Sequence, residues 1–136
     1  MPDTAGGAGP TPTSGFDELG AAAVLGNALT VPGGAGLVLA ALGKLPGATH
    51  RSGGRGLFSA RPETVQVGTW RYQVDRDGRL RGAHVVGGIV IAERVLAPTP
   101  GGAHVAAAIA EHLNQQGSQL LPDVQAVLAG VQAATA

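Results

Sequence analysis

Residues 64–95 read TVQVGTWRYQVDRDGRLRGAHVVGGIVIAERV, and this stretch decides the fold. Its first part, Thr64 to Asp75, reads as a strand by content: Val65, Val67, Thr69, Trp70, Tyr72 and Val74 are β-branched or aromatic. The apolar parity changes from odd (Val65, Val67) to even (Trp70, Tyr72, Val74), with Gly68 at the change. A bulge or sharp bend is therefore expected at Gly68. Asp77-Gly78 closes a hairpin, because glycine accepts the positive φ that other residues resist. Two registers compete at this turn. A two-residue loop pairs Val74 with Arg81. A three-residue loop with a glycine bulge pairs Val74 with Leu80, which sets apolar against apolar and is preferred. Arg79 to Val86 is the return strand. Gly87-Gly88 then turns the chain into a third strand, Ile89 to Val95.

Helices are expected on both sides of this meander. Leu19 to Gly43 carries no charged residue. Its length would suit a bilayer, but six glycines and Pro32 dilute the apolar run. Two short helices fit better, one from about Phe16 to Leu29 with Ser14 as N-cap and one from about Ala35 to Leu45, parted by Val31-Pro32-Gly33-Gly34. In the second, Leu37, Val38, Ala41, Leu42 and Leu45 form one stripe. Beyond the meander, Gly102 to Gln116 places Val105, Ala106, Ile109, Ala110 and Leu113 on one face, and Asp123 to about Ala133 places Val124, Val127, Leu128 and Val131 on another. The fold class is α+β: a three-stranded antiparallel meander with two N-terminal and two C-terminal helices. Four segments follow: a disordered tail over 1–15, a helical arm over 16–45, a Gly/Arg-rich loop over 46–63, and the meander with two helices over 64–136. The tail is low in apolar content and lacks the basic and apolar regions of a signal peptide.

Composition narrows the chemistry. The chain of 136 residues has four aromatic residues and no cysteine. Disulfides, thiolate-bound metals and thiol nucleophiles are excluded. A core built from Val, Leu, Ile and Ala is one that a partner subunit often completes. Net charge is zero but segregated. Lys44 to Arg94 holds all nine basic residues against four acids, a net of +5, and the flanks hold five acids and no Lys or Arg. Such asymmetry steers anionic partners or draws subunits together.

No catalytic constellation emerges. His50, His84, His104 and His112 lack a converging ligand set for zinc, so no metal is expected. Ser14, Ser52 and Ser118 stand in no Gly-x-Ser-x-Gly elbow. Asp75 and Asp77 flank a turn, where Asp bonds the backbone. Gly33-Gly34-Ala35-Gly36 and Gly43-Lys44-Leu45 lack the spacing and the Ser/Thr of phosphate loops. No cofactor is implied.

The leading reading is therefore a non-enzymatic scaffold or accessory subunit that self-associates or binds a partner protein. Leu37, Val38 and Leu42 are its candidate self-association arm. Trp70, Tyr72, Arg71, Arg76, Arg79 and Arg81 form its candidate contact surface. That surface also supports an alternative, a nucleic-acid module in which Trp70 and Tyr72 stack on bases. The Arg51-Ser52-Gly53-Gly54-Arg55 loop adds a weak signal of the same kind. A third reading is a carrier of a small ligand or quinone with an apolar pocket between sheet and helices. Localisation is expected to be cytoplasmic, with peripheral membrane contact through 19–45 as the alternative placement.

The Gly/Ala/Arg-heavy style is similar to that of high-GC actinobacterial proteins. In layout, an apolar arm over Leu19 to Leu45 joined to a compact unit over Thr64 to Ala134, the chain resembles the small scaffold subunit of actinobacterial nickel–iron uptake hydrogenases. The resemblance implies oligomer assembly and quinone passage, and no residue-level site.

Overall fold

The computed structural model describes residues 15–51 and 63–135. The Ser14 cap, most of the 1–15 tail and the Arg55 part of the Gly/Arg-rich loop lie outside them. Helices and sheet are mixed, as the α+β reading expects, but the sheet has five antiparallel strands rather than three. In chain order they are β1 (Thr49–Arg51), β2 (Thr64–Val67), β3 (Trp70–Val74), β4 (Leu80–Val86) and β5 (Ile89–Leu96), and they lie side by side in that order.

Both extra strands have a local cause. The bend expected at Gly68 is a complete reversal. Gly68 adopts φ +61°, and Val67 pairs directly with Trp70 across the two-residue turn. That pairing explains the change of parity, since the partners on either side of a two-residue turn face the same way. The other extra strand, β1, falls inside the segment read as a loop. It pairs Thr49, His50 and Arg51 with Gln66, Val65 and Thr64. The bulge lies elsewhere. Between His84 and Val85 the β4–β5 register shifts, with His84 opposite Ala92 and Val85 opposite Val90, so that Ile91 is the extra residue.

The Asp77-Gly78 hairpin takes the apolar register, with Val74 opposite Leu80. The Gly78 N–H donates to the Asp75 carbonyl at 3.0 Å, the Asp75 N–H donates to the Arg79 carbonyl at 2.9 Å, and Gly78 sits at φ +79°. Asp75 Oδ1 accepts from the N–H groups of Asp77 and Arg79, each at 2.9 Å. The side chain thus supplies the bonds that the turn's backbone lacks.

Four helices cover one face of the sheet: α1 (Glu18–Thr30), α2 (Gly34–Gly43), α3 (Pro98–Gln116) and α4 (Leu121–Ala134). Asp17, rather than Ser14, caps α1, accepting from Gly20 N–H at 2.8 Å. The third helix begins four residues before the expected start. Pro98 and Pro100 sit in its first turn, where a missing N–H goes unnoticed. Helices α2 and α3 lie against the sheet, α1 packs along α3, and α4 bridges α1 and α2. The α1–α3 crossing is close because glycine meets glycine. A Cβ on Gly102 would overlap Gly26 N and Ala22 O of α1. Val65, Val67, Tyr72, Leu80 and Leu96 of the sheet join Leu25, Val38, Leu42, Val105, Ile109 and Leu113 of the helices in one core.

Candidate functional site

The residues expected to form one contact surface divide between the two faces of the sheet. Tyr72 is fully buried in the core and Trp70 half-buried beside it, both on the helix-facing side. A platform of two exposed rings for stacked bases is therefore absent. Strand alternation puts Arg71 and Arg81 on the opposite face. Arg76 and Arg79 lie in the hairpin turn. Much of this positive charge is already answered. Arg79 pairs with Asp75 at 3.5 Å and Asp77 at 3.0 Å, and Arg81 pairs with Asp75 at 3.5 Å and Glu93 at 3.7 Å.

The expected self-association arm is also rearranged. Val38 and Leu42 are buried against the sheet, so α2 is part of the core and not a free arm. Leu37 is half-buried and lines an apolar groove of about 430 Å³ between α2 and α4, walled also by Val127 and Val131. A second groove of about 480 Å³ runs between α1 and α4, lined by Phe16, Val24 and Leu128. These spaces lie between helices, and their walls are mainly apolar side chains, with Lys44 at the first and Asp17, Gln125 and Gln132 at the second.

A denser cluster stands where β3, β4 and α3 meet. Trp70 lies opposite His84 in the sheet, and their rings stack with centroids 4.7 Å apart and planes 14° apart. His104, from α3, meets the edge of Trp70 at 4.1 Å and that of Tyr72 at 5.7 Å. The Arg94 guanidinium lies 5.9 Å from the Trp70 ring centre. Gly82 makes room for this arrangement. A Cβ there would press on Tyr72 and Leu96, each at 3.3 Å.

The Tyr72 hydroxyl lies 2.9 Å from His104 Nδ1. Burial, reinforced by the Glu111 charge, pushes the phenol far above its ordinary range, so it stays protonated and donates. His104 Nδ1 is then the acceptor, and the imidazole proton sits on Nε2. Burial, then the charges of Arg94 and His84, hold His104 below the usual histidine value. Among the described residues, no carboxylate pairs with Arg94, His84 or His104.

The other two histidines are structural. His112 is buried and its Nε2 lies 2.6 Å from the Pro46 carbonyl, tying α3 to the loop after α2. His50 pairs with Glu63 at the start of β2. Among the described residues, no three His, Asp or Glu side chains converge to hold a metal, and no helix is long and apolar enough to cross a membrane.

Residues 13–133 match the family model described as domain of unknown function DUF5073. The chain belongs to the DUF5073 family. No curated protein and no solved structure matches it.

Among the described residues of this DUF5073 chain, exposed large apolar side chains gather at the β4–β5 hairpin tip. Ile89 is 67% exposed, Ile91 59%, Val86 49% and Val90 47%. These residues went unremarked as a surface in the sequence. Their signal was three consecutive β-branched residues, Ile89-Val90-Ile91, where a half-buried strand would alternate with polar ones. The Trp70–His84 contact was also within reach. It follows from the Val74–Leu80 register by counting four residues outward along each strand.

Proposed function

We propose that the protein is a non-enzymatic interaction module that self-associates through the outer edge of β5. The observation that carries this reading is the exposed apolar tip, Val86 at the end of β4 and Ile89, Val90 and Ile91 on the eight-residue β5, which among the described residues has no neighbour on its outer side. An unpaired edge presents a row of free N–H and C=O groups that template a further strand. Natural edge strands are commonly blunted by Lys, Pro or inward charges. Ile89 to Ala92 contains none of these.

A second copy of the chain is the occupant this edge suits. Fully burying a Val or Ile side chain contributes about 1.5–3 kcal/mol. Four residues roughly half exposed then offer about 3–6 kcal/mol per copy. Association costs about 4–15 kcal/mol, so the tip is more effective when both partners contribute it. An isologous pair does so automatically. Antiparallel pairing centred within Ile89–Ala92 also keeps Glu93 and Arg94 clear of their like-charged mates.

The nucleic-acid reading has less support, because Arg79 and Arg81 are engaged by carboxylates and Tyr72 is buried. Sedimentation across a concentration series tests self-association. The wild type should dimerise reversibly, and Ile89→Lys combined with Ile91→Lys should remain monomeric and folded. A wild type that stays monomeric at every concentration refutes the reading. Because the chain has no cysteine, single cysteines placed along β5 should form intermolecular disulfides, whereas one at Gly130 should not.

A further inference from the structure

We infer that Arg94, His84 and His104, gathered around Trp70, form a binding site for a phosphate-type oxyanion. The side chains come from β5, β4 and α3, and each is held by something other than a counter-charge. His84 is stacked on the indole at 4.7 Å. His104 meets the same ring edge-on at 4.1 Å, and its Nδ1 is engaged by the Tyr72 hydroxyl at 2.9 Å. Arg94 stands 5.9 Å from the ring centre.

Burial and the neighbouring charges of Arg94 and His84 disfavour a protonated His104 here. Three groups that are cationic or become so on protonation share one face, and no carboxylate among the described residues answers them. By contrast, Asp75, Asp77 and Glu93 serve Arg79 and Arg81. Glu111 does not fill this role. It lies two turns along α3 from His104, where its Oε1 is 3.4 Å from the Thr69 hydroxyl.

The donor set suits an oxyanion. A guanidinium offers a planar fork of N–H groups. With Nδ1 accepting from Tyr72, His104 carries its proton on Nε2 and remains a donor even when neutral. His84 adds a further ring N–H. Such groups bond several oxygens of one phosphate at once, and the charge of that phosphate would favour the protonated histidines. The site lies on the helix-facing side of β4 and β5. It is distinct from the outer edge of β5 proposed for self-association, and it stands whether or not the protein dimerises.

Trp70 is the single tryptophan of the chain, so intrinsic fluorescence reads this site without a label. The experiment titrates inorganic phosphate into the full chain, with acetate, sulfate and chloride at matched ionic strength as separate arms. A saturable change in Trp70 emission is expected with phosphate. The affinity should fall roughly tenfold or more in Arg94→Met and in His84→Gln, as loss of a charge-assisted hydrogen bond predicts. Arg76→Met, in the distant hairpin turn, should leave it unchanged. A response to acetate stronger than that to phosphate would assign the site to carboxylates and overturn the phosphate reading. No saturable change, an equal response to chloride, or wild-type affinity in Arg94→Met would overturn the site itself. Arg94 is exposed, so Arg94→Met should fold, and a melting curve recorded on the same sample establishes that it has.

Discussion

Gly102→Ala and Gly130→Ala make the same chemical change on two helices and should have opposite effects. Neither glycine has positive φ, so alanine suits both backbones. Alanine in a helix gains about 0.5–1 kcal/mol over glycine through lower backbone entropy in the unfolded chain. At Gly130, in α4, a Cβ meets nothing within 4 Å. The full gain should appear there. At Gly102, in α3, the Cβ would overlap Gly26 N and Ala22 O. These are backbone atoms, so no side chain can rotate away, and α1 must move off α3. Overpacking of this kind costs about 1–3 kcal/mol, which outweighs the propensity gain. Gly102→Ala should therefore lose about 0.5–2 kcal/mol net. At this chain length, roughly 3–5 °C of Tm accompanies each kcal/mol. Urea unfolding followed by circular dichroism gives both values on one scale. The reasoning fails if Gly102→Ala is stabilised as much as Gly130→Ala, because the α1–α3 seam would then not depend on glycine.

Tyr72→Phe keeps the buried ring and deletes the bond to His104, so a loss of about 1 kcal/mol is expected. NMR titration of that variant should also find the His104 pKa raised, since its neutral form has lost a donor. In the wild type, His104 is held below its unfolded value of 6.5, so the folded state binds fewer protons. The stability this contributes is complete above pH 6.5 and is lost as pH falls through the folded pKa. His104→Gln should flatten the melting profile across that window, and an unchanged slope would remove His104 as its cause. The Asp75 carboxyl is held low first by the Arg79 N–H bond, so its contribution is present above about 3.8 and fades as pH falls through the folded value. Asp75→Ala should lower Tm at neutral pH more than Asp75→Asn, which keeps an acceptor for the turn. Equal effects would argue that charge, not turn geometry, is what matters there.

Several features were legible because their causes are local. The Asp77-Gly78 turn needs one residue at positive φ and one apolar register, and both are written in the chain. The stripes on α3 and α4 are set by helical spacing alone. The turn at Gly68-Thr69 escaped because Gly-Thr lacks the Asn-Gly or Asp-Gly signature, so two strands read as one with a bend. Strand β1 escaped because three residues in a Gly/Arg-rich stretch have no strand signal of their own; Thr49–Arg51 is extended because Thr64–Val67 offers it an edge.

The candidate sites divide in the same way. The sequence by itself determined that the Asp77-Gly78 hairpin exists, that Val74 to Leu80 is the better of its two registers, that helices flank the sheet, and that thiol chemistry is absent. Period and turn chemistry act over a few residues and need no distant partner. Only the tertiary structure decided which face of each strand the helices cover. That choice buried Tyr72, Val38 and Leu42, sent Arg71 and Arg81 to the other face, and brought His104 across 32 residues to Tyr72. It also left Ile89, Val90 and Ile91 at an open edge. Burial is a property of the whole packing arrangement, and α3 covers Tyr72 while stopping short of the β5 tip.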